Sequence, residues 1–359
     1  MTDAGPALKE WPPVDLIAGL SLETTAEPES ELDEKVRSGR LSPSLWITLF
    51  SNVHLSPLLR AFGRAITSDP SSSSFLLILG HHLELPPETE VLEITPSGAS
   101  AWVQTVRIRT HQKDGTTKDY FKKSQSGSVG RRMMLGTFAS EKAFYEYAPQ
   151  NIPKPIAWGN YKSNEEMWFY LAEYHEMVDE VPDPQQFVSI IVDIHQKSMG
   201  NSPTGNFGFD VPTHLANIPS DNGWEETWEK FFTKAMNRML ELEELSHGKD
   251  DEEFEELKEK LLTKVIPRLL RPLESGGQRV TPCLVHSDLW PGNCMPDADT
   301  DEIMIFDSCA YWGHNESDLG SWRAPRYRMG KPFLKEYQRR MGASYPEEDW
   351  DDRNALYAM

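Results

Sequence analysis

At 359 residues the chain exceeds one average domain and falls short of three, so it is expected to form two lobes sharing a cleft, or one domain with an appendage. A hydrophobic content of 38% with eleven Trp excludes a chain disordered throughout, and no unbroken apolar run approaches the roughly 20 residues that span a bilayer. With 56 acidic against 36 basic residues the net charge is −20, and the basic residues are scattered along the sequence, which excludes nucleic acid and anionic membrane as natural partners.

Residues 1–85 stand apart in character. An acidic stretch from Glu23 to Glu34 precedes an apolar-periodic patch from Leu45 to Ile66, and Asp69-Pro70 with four following serines breaks the pattern. The spacing predicts one or two helices and then a linker, a partly helical or loose N-terminal extension carrying no chemistry. The opening MTDAGPALKEWPP lacks the order of a secretory signal and the Arg-rich character of a transit peptide. Three cysteines, Cys283, Cys294 and Cys309, fit no zinc spacing and allow one bridge at most, so a reducing, cytoplasmic location is expected.

From Val91 the segments VLEIT, AWVQTVRIRT and DYFKK are rich in β-branched and aromatic residues, with turn signals at Pro96-Ser97-Gly98 and Asp114-Gly115. They predict an antiparallel meander. Residues 128–148 have helical apolar spacing that Pro149 stops, which gives a helix packed on the sheet. Met167 to Ala172 is short and apolar enough for a strand buried on both faces. Asp183-Pro184 is an N-cap followed by Pro at the first helical position, opening a helix with Phe187, Ile190, Ile191 and Ile194 on its core face. Further helices are expected over 224–245 and 252–270, the second with a solvated acidic face opposite Phe254, Leu257, Leu261 and Leu262. The class is α+β: a small sheet lobe over 86–172 and a larger, mainly helical lobe over 173–359.

The densest polar signal is Leu284-Val-His-Ser-Asp-Leu-Trp-Pro-Gly-Asn293, followed by Ile303-Met-Ile-Phe-Asp-Ser308. Two strand ends deliver Asp288, Asn293 and Asp307 to one point. Phosphoryl transfer asks for this set: a carboxylate to accept the hydroxyl proton, and an Asn and Asp oxygen pair to hold Mg²⁺ on nucleotide phosphates. The spacing H-x-D-x-x-x-x-N is that of a kinase catalytic loop, with Phe306-Asp307-Ser308 where D-F-G would stand.

HSDLWPGN, FDSCAYWGHNESDLG and Phe207-Gly-Phe-Asp-Val-Pro212 with Trp224, Trp228, Phe231 and Phe232 resemble the fructosamine kinase (ketosamine-3-kinase) family, most closely its fungal, protein-ribulosamine 3-kinase-like members. The resemblance covers about residues 88–359. It implies the protein-kinase-like two-lobe fold shared with aminoglycoside phosphotransferases and choline kinases, and it implies a nucleotide-binding N-lobe, ATP and Mg²⁺ as cofactors, and transfer to the 3-hydroxyl of fructosamine or ribulosamine adducts. The substrate would be a glycated protein or a small ketosamine, the chain a monomer or weak dimer, and the outcome deglycation, because the 3-phosphate adduct then releases its amine.

By position the resemblance makes Asp288 the catalytic base, Asn293 and Asp307 the Mg²⁺ ligands, and His286 and Asp318 the supports of the catalytic loop. Lys122 of YFKK falls where the phosphate-binding lysine lies, on the strand face opposite Lys123. Ser97, Gly98, Ala99 and Ser100 form the loop over the phosphates. The helix glutamate expected to pair with the lysine falls on Thr137; Glu141, one turn later on the same face, is either its substitute or an exposed helix acid. Ser287 replaces the commoner Gly, which is tolerable with ordinary torsions. Trp290, which separates this family from its relatives, together with His314 and Glu316, would meet the sugar and its protonated amine. Family members continue past the point matching Asp351 to Met359 with helices that wall the sugar pocket. Two alternatives stand beside this reading: a pseudokinase or binding module of the same fold, and a kinase for another small alcohol or amine such as an aminoglycoside.

Overall fold

The computed structural model describes residues 89–98, 100–248 and 252–359. The expected N-terminal helices and linker lie outside these residues, as does Ala99. The described chain opens with strands β1 (Glu90–Pro96), β2 (Gln104–His111) and β3 (Thr117–Ser126), each antiparallel to the next. The β2–β3 turn forms because Asp114 accepts from both the backbone N–H and the hydroxyl of Thr116, at 2.9 and 2.6 Å, while Gly115 takes a φ of 85°.

Helix α1 (Gly127–Tyr147) follows, then β4 (Pro155–Tyr161) and β5 (Asn164–Glu173), which complete a sheet of order β1-β2-β3-β5-β4. Strand β4 has no counterpart in the sequence expectation; Pro153, Pro155 and Gly159 break its apolar alternation. The Phe169–Ala172 part of β5 is buried on both faces, as its run of apolar residues requires. Alternation divides the sheet sharply. Ile108, Tyr120, Phe169 and Leu171 pack on the face away from α1. Tyr170 and Ala172 pack on the other, against Met133 and Met134 of α1.

The helical lobe begins with α2 (Pro184–Ser198), whose first turn is capped by the Asp183 carboxylate accepting from the N–H groups of Gln185 and Gln186. Helix α3 spans Trp228–His247. It starts later than the apolar periodicity suggests because Glu225 pairs with Phe207 as an extended bridge and Thr227 then supplies the cap. Helix α4 (Glu252–Lys260) passes through a π turn, Leu261–Val265, into α5 (Ile266–Leu270).

Four short strands carry the two polar segments singled out in the sequence, in two antiparallel pairs. These are β8 (Cys283–Val285) with β11 (Tyr311–Gly313), and β9 (Cys294–Pro296) with β10 (Ile303–Ile305); a hairpin of β6 (His214–Leu215) and β7 (Ile218–Pro219) precedes them. Helices α6 (Gly320–Arg323), α7 (Lys331–Met341) and α8 (Trp350–Tyr357) close the lobe. Its core joins Phe187 and Ile191 of α2 to Leu284, Ile305, Trp322, Phe333 and Tyr337, side chains that each contribute about 2 kcal/mol on burial. Among the described residues no helix is long and apolar enough to cross a membrane, and all three cysteines are buried free thiols.

Candidate active site

Strand β8 is wholly buried and ends at His286, so the polar loop after it emerges from the core at a fixed point. A second carboxylate holds that loop. Asp318 accepts from the N–H of His286 at 3.0 Å and of Ser287 at 2.6 Å. His286 turns inward: its Nε2 donates to the Phe306 carbonyl at 3.1 Å and its Nδ1 accepts from the Asp288 N–H at 3.2 Å. Burial lowers the pKa of His286, which suits this neutral tautomer. One imidazole thereby links the start of the loop to the strand end that bears Asp307. From α2, His195 lies 3.1 Å from Asp318 through Nε2 and 2.7 Å from the Tyr337 hydroxyl through Nδ1.

Ser287 adopts a φ of 68°, in the left-handed region, so its torsions are not the ordinary ones that would make a non-glycine residue costless there. Locking its own N–H and that of His286 on Asp318, and the Asp288 N–H on the His286 ring, holds the strained turn. The loop then folds back. The Asn293 amide nitrogen donates to the backbone carbonyl and the carboxylate of Asp288, at 2.9 and 2.8 Å, leaving the Asn293 carbonyl oxygen for a ligand. Gly292 lets the Trp290 ring lie over the loop: a Cβ there would lie 2.2 Å from that ring, which would have to shift. Burial, reinforced by the negative charge of Asp307, pushes the Asp288 carboxyl up to about 6, against hydrogen bonds from Asn293 and the Trp290 side chain.

Asp307 follows β10, and the Phe306 N–H donates to the backbone carbonyl of Asn293 at 3.0 Å, not to its side-chain oxygen, so the β9–β10 ladder sets Asn293 and Asp307 at the same end of one hairpin. Asp307 has a φ of 61°, is half exposed to the cleft, and is ion-paired with Lys123. Burial opposes its charge, but Lys123 beside it holds the carboxyl below the usual range. The oxygens of Asp307 and Asn293 are hard donors of the kind Mg²⁺ takes, and the ammonium at Asp307 marks a locus that calls for positive charge.

The lysine in the cleft is Lys123, not Lys122. In the β3–β5 register Lys122 opposes Leu171, on the sheet face away from the cleft, and its ammonium is bonded to the Tyr161 hydroxyl. Burial there pushes it down to about 8. Lys123 opposes Tyr170 on the α1 face and reaches Asp307. The sequence contained the signal, since Lys123 shares its strand face with Phe121 and Lys122 shares its with Tyr120, but which face meets the cleft is decided by where α1 packs.

Glu141 is buried rather than exposed, and it does not take the lysine. Its carboxylate accepts from the N–H and hydroxyl of Ser308, at 2.8 and 2.9 Å, and burial pushes it up to about 7. Thr137 and Glu141 line the same cleft of about 540 Å³ as Ser97, Gly98, Ser100, Lys123, Trp290, Asn293, Asp307 and the connector from Glu173 to Met177. Within the expected phosphate loop, Gly98 has a φ of 72° and the Ser100 hydroxyl accepts from the N–H groups of Trp102 and Val103.

His314 and Glu316 are not at the cleft. Helix α8 and the segment before it cover both. His314 bonds the hydroxyls of Tyr357 and Ser344 at 2.9 and 2.8 Å, and burial pushes it down to about 4. Glu316 meets the fully buried Arg353 at 2.8 Å and accepts the Ser344 N–H at 2.7 Å. Gly320 permits this closure, since a Cβ on it would lie 2.0 Å from the Tyr357 carbonyl oxygen. Trp290 does stand at the cleft, and its other neighbour is Tyr327, with ring centroids 5.4 Å apart.

Residues 93–359 match the sequence profile described as fructosamine kinase. The chain is 24% identical over 274 residues to a chloroplastic protein-ribulosamine 3-kinase of Arabidopsis thaliana, covering 76% of this chain and 77% of that one. It is 27% identical over 214 residues to the chloroplastic protein-ribulosamine 3-kinase of Oryza sativa subsp. indica, spanning 59% of this chain and 58% of that relative, and 29% identical over 220 residues to a ketosamine-3-kinase of Mus musculus, spanning 55% and 67%. In three dimensions it is similar to the crystal structure of a putative fructosamine-3-kinase from Haemophilus somnus 129PT, with a TM-score of 0.56, 19% identity and coverage of 75% and 81%. It also shares its fold with an aminoglycoside phosphotransferase crystallised with AMP-PNP and hygromycin B, with a TM-score of 0.52, 13% identity and coverage of 80% and 88%.

Proposed function

This chain belongs to the fructosamine kinase family, and from that premise we propose that it transfers the γ-phosphoryl group of ATP to the 3-hydroxyl of ketosamines, fructosamine or ribulosamine adducts on protein lysines. The observation that carries the reading is the convergence of Asp288, Asn293 and Asp307, with Asn293 bonded to Asp288 and Lys123 to Asp307.

Asp288, with its pKa near 6, is ionised at neutral pH and close enough to it to accept the hydroxyl proton as the oxygen attacks. Asn293 fixes the carboxylate in place. Asp307 and the Asn293 carbonyl oxygen would hold Mg²⁺, whose chemistry when bound is to neutralise charge on the nucleotide phosphates. Lys123 brings an ammonium to the same point and bears on the γ-phosphate. Trp290 offers an indole face to the protonated amine of the adduct. Ser97, Gly98 and Ser100 cover the phosphates from the sheet lobe. The phosphorylated adduct then eliminates its 3-phosphate as inorganic phosphate, and hydrolysis by water separates the sugar, as a deoxydicarbonyl, from the freed lysine amine.

The test is to incubate the purified chain with ATP, Mg²⁺ and a fructosyl-lysine or a ribulosyl-lysine peptide, and to follow ADP and the phosphorylated peptide. Product with either supports the reading, and the ratio sets the preferred sugar. A second reading, nucleotide binding without turnover, is favoured by one feature: Glu141 is spent on Ser308 and not on the lysine. Nucleotide affinity with no ADP formed from any ketosamine would select it, and turnover of an aminoglycoside alone would reassign the acceptor.

A further inference from the structure

Beside the proposed acceptor position runs a loop that the chemistry above does not use. Arg323 to Lys331, RAPRYRMGK, carries four cations and no carboxylate in a chain where acids exceed bases by 20. Its position is fixed from both ends. The Ser321 hydroxyl and the Trp322 indole both donate to the carbonyl of Leu289, next to Asp288, at 2.7 and 2.9 Å, and Met329 is buried in the core. Between these anchors Tyr327 lies against Trp290, and the Arg326 guanidinium lies over the Tyr327 ring, 4.7 Å from its centre.

The charges on this loop are unequally spent. Arg323 is neutralised by Asp351 at 2.7 Å. Arg326 is exposed and has no carboxylate partner among the described residues. Arg328 has Asp179 at 3.7 Å, a pair so exposed on both sides that water screens most of its worth. Lys331 is exposed at the start of α7. An Arg stacked on an aromatic ring, with its fork of donors free, is preorganised for a carboxylate.

Resting on the ketosamine reading, we infer that Arg326 and Arg328 read the surroundings of the adduct, and that this protein prefers ketosamines on lysines flanked by Asp or Glu. The chain's overall negative charge does not prevent it. At physiological salt the screening length is about 8 Å, so a peptide seated at Trp290 senses the loop far more than distant acids. Repulsion elsewhere makes this loop the favoured approach for an acidic segment.

The experiment uses the full chain and three acceptors: free fructosyl-lysine, a fructosyl-lysine peptide flanked by Glu, and the same peptide flanked by Lys. At low salt the acidic peptide should have a kcat/KM about tenfold above the basic one, with the ratio shrinking at high salt. The charge reversal R326E/R328E should invert the ratio, R326K/R328K should keep most of it, and the reversal K162E/K264E, of equal net charge but on other surfaces, should leave it alone. Thermal melts establish that each variant is folded. Turnover without discrimination between the peptides, or discrimination that survives R326E/R328E, would overturn this inference alone. No turnover of any acceptor would overturn the ketosamine reading and this inference with it.

Discussion

Two carboxylates two residues apart, Glu316 and Asp318, lie in one short turn, are equally buried, and serve opposite sides of the lobe. Asp318 faces inward and is satisfied by the N–H groups of His286 and Ser287 and by the His195 ring, partners that belong to the polar loop after β8 and its support. Glu316 faces α8 and is satisfied by a full positive charge, Arg353. A buried carboxylate needs compensation in either case, but the kind of partner decides what its loss disturbs: loop geometry for Asp318, global stability for Glu316.

The largest expected effect separates the two. Arg353→Met strands the Glu316 charge in the core and should cost about 3–5 kcal/mol in urea unfolding, with E316Q/R353M recovering a good part, while turnover per folded molecule changes little. Asp318→Asn should do the reverse, lowering kcat by about a hundredfold while the unfolding midpoint moves less than for Arg353→Met. If both variants lose stability and activity in the same proportion, the division of labour is wrong.

Next come the paired lysines, which extend the same contrast to the sheet lobe. Lys123→Met should lower kcat/KM by about a hundredfold, and Lys122→Met should leave it within about twofold, because its ammonium faces Tyr161 on the far side of the sheet. Equal losses would put Lys122 back at the phosphates.

A smaller and graded effect is expected with pH. In the proposed reaction Asp288 must be ionised to take a proton, so kcat/KM should fall about tenfold per pH unit below about 6. Stability responds with the other sign. A carboxyl whose pKa is raised on folding binds its proton more tightly when folded, so its contribution to stability grows as pH falls from above 6 toward the ordinary 3.8. Unfolding midpoints and rates measured across that window should therefore move in opposite directions, and Asp288→Asn should remove the Asp288 part of the stability change.

The smallest effect belongs to Ser287→Gly. Relief of the left-handed strain is worth about 1 kcal/mol, partly offset by the greater freedom of glycine in the unfolded chain, so a stabilisation of about half that is expected in thermal unfolding. A loss of stability would mean that the serine side chain contributes more than its backbone costs.

Much of this was legible along the chain. The meander, the helix after it and the N-cap at Asp183 came from local periodicity and turn chemistry, and the meeting of two polar segments came from spacing, because each follows within a few residues of a buried strand, β8 or β10. His314 and Glu316 misled because proximity in sequence to Asp318 says nothing about direction inside a turn, and their cover, α8, is remote in sequence. The basic loop escaped notice because four cations within nine residues are ordinary in a line of text; pinning to Leu289 and stacking on Trp290 are what make them a surface.

By itself the sequence determined which residue types could do chemistry and where each strand and loop would present them, since hydrogen-bonding periods and strand ends are local properties of the chain. Only the tertiary structure decided which of two adjacent lysines enters the cleft and that Glu316 is locked to an arginine instead of facing that cleft. Those choices depend on which face of a strand or turn is covered by an element tens or hundreds of residues away, and no local spacing records that.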